Sequence, residues 1–161
     1  MIEIALMQWL MAQPIHKTDI GEPDRFSRMS QIAEAISVVA GGNKLLAASV
    51  AIVMREESGL RRDVQEGRCP PRQCDHGRAR GLPQLHWPPA YPRERWIGYA
   101  GEGYGPLLLS AIQAANMLRA GRHACGDIGG AFAYYGTGGN CYVYPRAAER
   151  ARMTIELAGR L

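Results

Sequence analysis

From Leu60 to about Gly105 the chain shows no sustained hydrophobic period and is dense in Pro, Gly, Arg and Cys, whereas the sequence on both sides repeats its apolar residues at helical spacing. That contrast limits the fold: helices must build the core, and one long irregular segment must be held against them. Loops of this length inside a domain usually carry function. With 161 residues, 47% hydrophobic and 21% charged, the chain is long enough for one domain with a proper core and too short for two comfortable ones. Disorder, a regular coiled coil and a large modular architecture are excluded.

Residues 1–14 predict a short helix through Ile4, Leu6, Met7, Leu10 and Met11, followed by a polar connection at Pro14, Gly21 and Pro23. Residues 1–23 therefore read as an N-terminal helical extension and linker, and 24–161 as the main domain. The apolar face of the extension either packs back on that domain or docks a protein partner. From Asp24, the residues Phe26, Met29, Ile32, Ala33, Ile36 and Val39 recur at helical spacing until Gly41 and Gly42 end the run. Asn43 suits the N-cap of the next helix, which runs to about Glu57 before Gly59. Pro106 opens a helix that reaches Gly121, a shorter one spans Asp127 to Tyr135, and Pro145 starts the last, ending near Gly159. The expected class is mostly α, in an α+β arrangement whose irregular stretch holds short turns or a small β-hairpin.

On the helix from Asn43, Leu46, Val50, Val53 and Met54 share one face, and the next position on that stripe is Glu57. A carboxylate that continues a core face at the negative end of the helix dipole meets two influences that disfavour its ionised form. A carboxylic acid kept protonated can donate its proton to a leaving oxygen, the step that glycosidic cleavage requires. On the helix alone, the other reading is an exposed carboxylate at a frayed helix end. Glu56 is a lesser candidate, because it projects about 100° away around the helix.

Around this glutamate, Arg55-Glu56-Glu57-Ser58-Gly59-Leu60 resembles the Glu-Ser signature of the lytic transglycosylases and goose-type lysozymes, in which a helix ends in the catalytic glutamate followed by a serine. Gly77-Arg78-Ala79-Arg80-Gly81-Leu82-Pro83-Gln84 is similar to the family's Gly-x-Ala-x-Gly-Leu-x-Gln segment. Ala133-Tyr134-Tyr135-Gly136-Thr137-Gly138 resembles its Ala-Tyr-Asn-x-Gly motif, with Tyr135 standing where asparagine is usual. The resemblance covers roughly residues 40–150, and its three motifs fall in the family's order. It implies a lysozyme-like fold and a peptidoglycan-degrading enzyme that cuts the β-1,4 bond between N-acetylmuramic acid and N-acetylglucosamine, with no metal or organic cofactor. Carried over position by position, it makes Glu57 the general acid and then base, Ser58 a nearby hydroxyl contact, Gln84 a polar cleft residue and Tyr134 the aromatic nearest the acid. Tyr135 falls in the same substrate-binding motif. Gly81 would let backbone approach the sugar or would simply serve a turn. His86 and Trp87 would line a sugar subsite or pack the loop.

The number of carboxylates separates two mechanisms. A hydrolytic muramidase needs a second one to position water or attack the sugar, and Asp63 and Asp75 are the candidates, although loops also collect Asp for turn chemistry. A lytic transglycosylase, in the family's logic, needs one: the substrate's N-acetyl group assists and the muramoyl 6-hydroxyl closes the ring, giving 1,6-anhydromuramoyl products. The single-glutamate reading is the expectation. The alternatives are the hydrolase and a non-catalytic wall-binding or structural protein on the same fold.

Four cysteines allow three connectivities, and the sequence-local pairs Cys69–Cys74 and Cys125–Cys141 are preferred. Zinc is not expected, because only Cys69, Cys74 and His76 cluster and the later cysteines stand alone. The formal charge is +4, from 19 Lys plus Arg against 15 Asp plus Glu, and the cations are dispersed, so no nucleic-acid partner is expected. Arginines of the irregular segment are equally suited to peptide or lactyl carboxylates of the wall. The longest nearly apolar run, Leu45–Met54, is far shorter than the roughly 20 residues that cross a bilayer, so no membrane span is expected. Glu3 and Gln8 do not fit a conventional signal peptide. An enzyme acting in the periplasm or cell wall would then be delivered by a phage virion, a lysis system or another secretion machine.

Overall fold

The computed structural model describes residues 2–86, 96–141 and 144–161. Helix α1 (Ile2–Met11) is followed by α2 (Arg25–Ala40), α3 (Lys44–Ser58) and the single turn α4 (Arg62–Gln65). An antiparallel hairpin of β1 (Ala79–Arg80) and β2 (Leu85–His86) pairs Ala79 with His86 and Arg80 with Leu85. Helices α5 (Tyr104–Cys125), α6 (Ile128–Thr137) and α7 (Ala147–Ala158) complete a mostly helical molecule.

Helix α3 is its axis. Asn43 Oδ1 accepts from the Leu46 amide at 3.0 Å, and Gly59, left-handed at φ 61°, donates back to the Arg55 carbonyl, so both ends are closed as the sequence predicts. Every residue from Leu46 to Met54 is buried, so the apolar stripe widens to the whole circumference, with α1, α2, α5 and α7 packed around it. Ala47, Ala48 and Ala51 favour the helix and let its neighbours come close.

The N-terminal helix packs back on the domain. Leu6 and Leu10 are fully buried and share the hydrophobic core of α2 and α3. The connection after it is tied down by charge. Arg28, on α2, donates from Nε to Glu22 at 2.6 Å, from Nη2 to Asp19 at 3.3 Å, and from Nη1 to the Leu60 carbonyl at 2.8 Å. Asp19 also accepts from the Arg62 amide at 3.0 Å and so closes the start of α4. Burying these charges is tolerable only because they are paired and hydrogen-bonded.

Helix α5 does not stop at Gly121 as expected but continues to Cys125. A Cβ on Gly121 would stand 2.8 Å from Tyr134 Cβ and 3.0 Å from the Ala131 backbone, so this glycine admits α6 to close contact and does not end the helix. Asp127 Oδ1 accepts from the Gly130 amide at 2.6 Å and starts α6. Disulfides join Cys69 to Cys74 and Cys125 to Cys141, the latter tying the end of α5 to the loop beyond α6. Trp96 Nε1 donates to the Leu85 carbonyl at 2.9 Å and its ring lies under the Arg80 guanidinium at 5.0 Å, which fixes the hairpin. Among the described residues no helix is long and apolar enough to cross a membrane.

Candidate active site around Glu57

Glu57 occupies the last turn of α3, where the helix leaves the core, and its side chain is 25% exposed. Its surroundings differ from the apolar ones that the stripe suggests. Glu57 Oε1 lies 2.7 Å from Nη1 of Arg150, a residue of α7 whose side chain is 1% exposed. The Arg150 guanidinium rests over the Tyr144 ring at 5.4 Å. The 100° step along α3 sends Glu56 elsewhere: it pairs with Arg55 at 3.5 Å and borders a groove of about 550 Å³ with residues of the connection after α1, such as Ile15 and Lys17.

Tyr135 is the aromatic coupled to the carboxylate. It is buried on α6 and donates from its phenol to the Pro83 carbonyl at 2.6 Å, which anchors the turn between β1 and β2. Burial pushes the phenol well above its ordinary pKa; the negative charge of Glu57 pushes the same way, and Arg150 opposes it. Tyr134, expected nearest the acid, has its Cβ against Gly121 of α5 and its hydroxyl near Gly139. One helical step separates the two tyrosines and turns them to different neighbours.

Several other residues of the motifs have internal partners. Ser58 is buried; its Oγ donates to the Met54 carbonyl at 2.5 Å and accepts from the Leu60 amide at 3.2 Å, so both bonds shape the helix end. Gly81 has φ +68°, and a Cβ there would stand 2.4 Å from the Tyr99 carbonyl oxygen, so the missing side chain serves close packing inside the protein. Gln84, at φ +50°, donates from both its amide and its Nε2 to the Gly81 carbonyl at 3.0 Å and closes the hairpin turn. His86 is exposed, with Nδ1 3.4 Å from Asp75. Asp63 is held by Arg61 through both carboxylate oxygens, at 2.9 and 2.5 Å. Trp87 lies outside the described residues.

Cys69 and Cys74 are bonded to each other and offer no thiolate to a metal, and among the described residues no group of His, Cys, Asp and Glu comes together that could hold one. Sequence reasoning missed Arg150 and Tyr144. The signal for Arg150 was its position on the inward face of α7, at helical spacing from Ala147, Thr154 and Leu157. In comparisons with protein-family models, curated proteins and solved structures, nothing matches the chain.

Proposed function

We propose that the protein cleaves the glycan strands of peptidoglycan, between N-acetylmuramic acid and N-acetylglucosamine, as a lytic transglycosylase in which Glu57 is the one reacting carboxylate. The observation that carries this reading is the state of the three candidate carboxylates. Glu57 stands partly exposed at the end of a buried helix, with Oε1 on Arg150 and no hydrogen bond to Oε2 among the described residues. Asp63 has both oxygens taken by Arg61, and Asp75 sits on an exposed turn beside His86. A hydrolase requires a second carboxylate facing the first across the sugar, and a transglycosylase does not.

In this reading Glu57 acts from its protonated form, with the proton on Oε2 while Oε1 stays on Arg150, and donates it to the departing glycosidic oxygen. The ring is supported meanwhile by the substrate's own N-acetyl group. Glu57 then takes the proton of the muramoyl 6-hydroxyl as that oxygen closes onto the anomeric carbon, so one group serves as acid and base and no water is consumed. Ser58, Gly81 and Gln84 contribute by shaping the helix end and the hairpin beside it. The two disulfides suit an oxidising compartment and thus work at the cell wall, outside the cytosol.

The test is a digest of purified peptidoglycan followed by light scattering and reducing-end titration together. Clearing of the suspension without new reducing ends supports the transglycosylase. Clearing with stoichiometric reducing ends makes the protein a hydrolase, and binding without clearing makes it a wall-binding protein.

A further inference from the structure

Arg150 is the largest fully buried side chain among the described residues. A buried guanidinium is always charged and requires both a counter-charge and acceptors for its donors. Among the described residues its ionic partner is Glu57, and none of its three side-chain nitrogens makes a well-aligned hydrogen bond. Packing therefore does most of the holding. The Tyr144 ring backs the guanidinium at 5.4 Å, and that ring has room only because position 136 is glycine: a Cβ there would stand 2.8 Å from Tyr144 Cζ. Gly136, Tyr144, Arg150 and Glu57 thus form one line of contact from α6 through α7 to the end of α3.

We propose that Arg150 is the positioning residue for Glu57: its buried guanidinium, backed by Tyr144, fixes one oxygen of the carboxylate and leaves the other for the substrate. This rests on Glu57 being the reacting carboxylate. The last turn of α3 gives the side chain no other polar partner among the described residues, so without Arg150 the carboxylate rotates freely about its own torsions. Arginine suits the task because it keeps its charge across the working pH range and lies flat on an aromatic face.

The test uses wild type, Arg150→Met, Arg150→Lys, Glu57→Gln and the Arg150→Met/Glu57→Gln double variant, with kcat and KM on soluble glycan strands and thermal midpoints for all. Arg150→Met is expected to lower kcat by about 10²-fold while KM stays within a few-fold, as expected when a reacting group is misplaced and binding is kept. Arg150→Lys is expected to recover most of that loss. The double variant is expected to lose less thermal stability than the two single losses added together, because each single change strands one member of the pair. Unchanged kcat in folded Arg150→Met, no recovery with lysine, or additive thermal losses each overturn the proposal. If Arg150→Met does not fold, Gly136→Ala, which displaces the Tyr144 ring, must lower kcat without raising KM; unchanged kcat there overturns the proposal too. A wild type that makes no product overturns the activity proposed above, and additive thermal losses overturn the pairing itself whatever the activity.

Discussion

At the scale of single residues, the Glu57–Arg150 pair changes what a substitution should do. Glutamine at position 57 keeps the shape of the side chain, and on the helix alone Glu57→Gln would be expected to leave stability intact or raise it. With Arg150 buried behind it, the same change removes the counter-charge of a guanidinium that cannot reach water. Glu57→Gln is therefore expected to cost roughly 2–3 kcal/mol, seen as a fall of about 5–10 °C in the thermal midpoint by calorimetry. Ser58→Ala is expected to cost only about 1 kcal/mol and to retain turnover, since both Ser58 hydrogen bonds stay within the helix end; loss of activity in a folded variant would give the hydroxyl a chemical role. Tyr135 sets an alkaline limit. Its folded pKa is raised, so its contribution to stability is fully present below the unfolded value of about 10 and is lost as pH climbs from there through the folded value. Denaturant midpoints should hold up to about pH 10 and fall above it, and less so in Tyr135→Phe. The glutamate was legible in the sequence because a carboxylate on a core stripe is rare. Arg150 stood on a stripe as well, but long arginine stems cover apolar surface while their heads reach water, so a buried arginine and a solvated one look alike in a sequence.

At the scale of elements, the caps read true and Gly121 did not. Asn43 and Gly59 bound α3 because capping is local chemistry that neighbouring residues decide. Gly121 looked like a helix end, yet it is where α6 presses on α5, and a sequence does not show whether a missing Cβ serves a turn or a neighbour. The same ambiguity at Gly81 is resolved by the Tyr99 carbonyl, 2.4 Å from where a Cβ would stand. Gly81→Ala is expected to destabilise the hairpin by several kcal/mol, checked by urea unfolding, because strain at φ +68° adds to the clash. The irregular segment was recognised by its lack of period, and its two-residue strands are too short to leave an alternating pattern. What replaces a core there is covalent. By the chain-entropy estimate, opening Cys125–Cys141 should cost about 3 kcal/mol and opening Cys69–Cys74 about 2, measurable as midpoint shifts of the corresponding Cys→Ser pairs.

At the scale of the whole molecule, the N-terminal segment and the candidate site are mechanically joined. Arg28 receives Asp19 and Glu22 from the connection after α1 and donates to the carbonyl of Leu60, three residues beyond Glu57. Removing residues 1–23 would strand the buried Arg28 and uncover the core faces of α2 and α3 that Leu6 and Leu10 cover, so the truncated chain is expected to aggregate or unfold at room temperature. The central claim is that Glu57 alone breaks the glycan without water, and mass spectrometry of purified peptidoglycan digested with wild type and with Glu57→Gln tests it most directly. The account predicts 1,6-anhydromuramoyl products from wild type and none from the variant. Products carrying an added water, or anhydro products from Glu57→Gln, would contradict it.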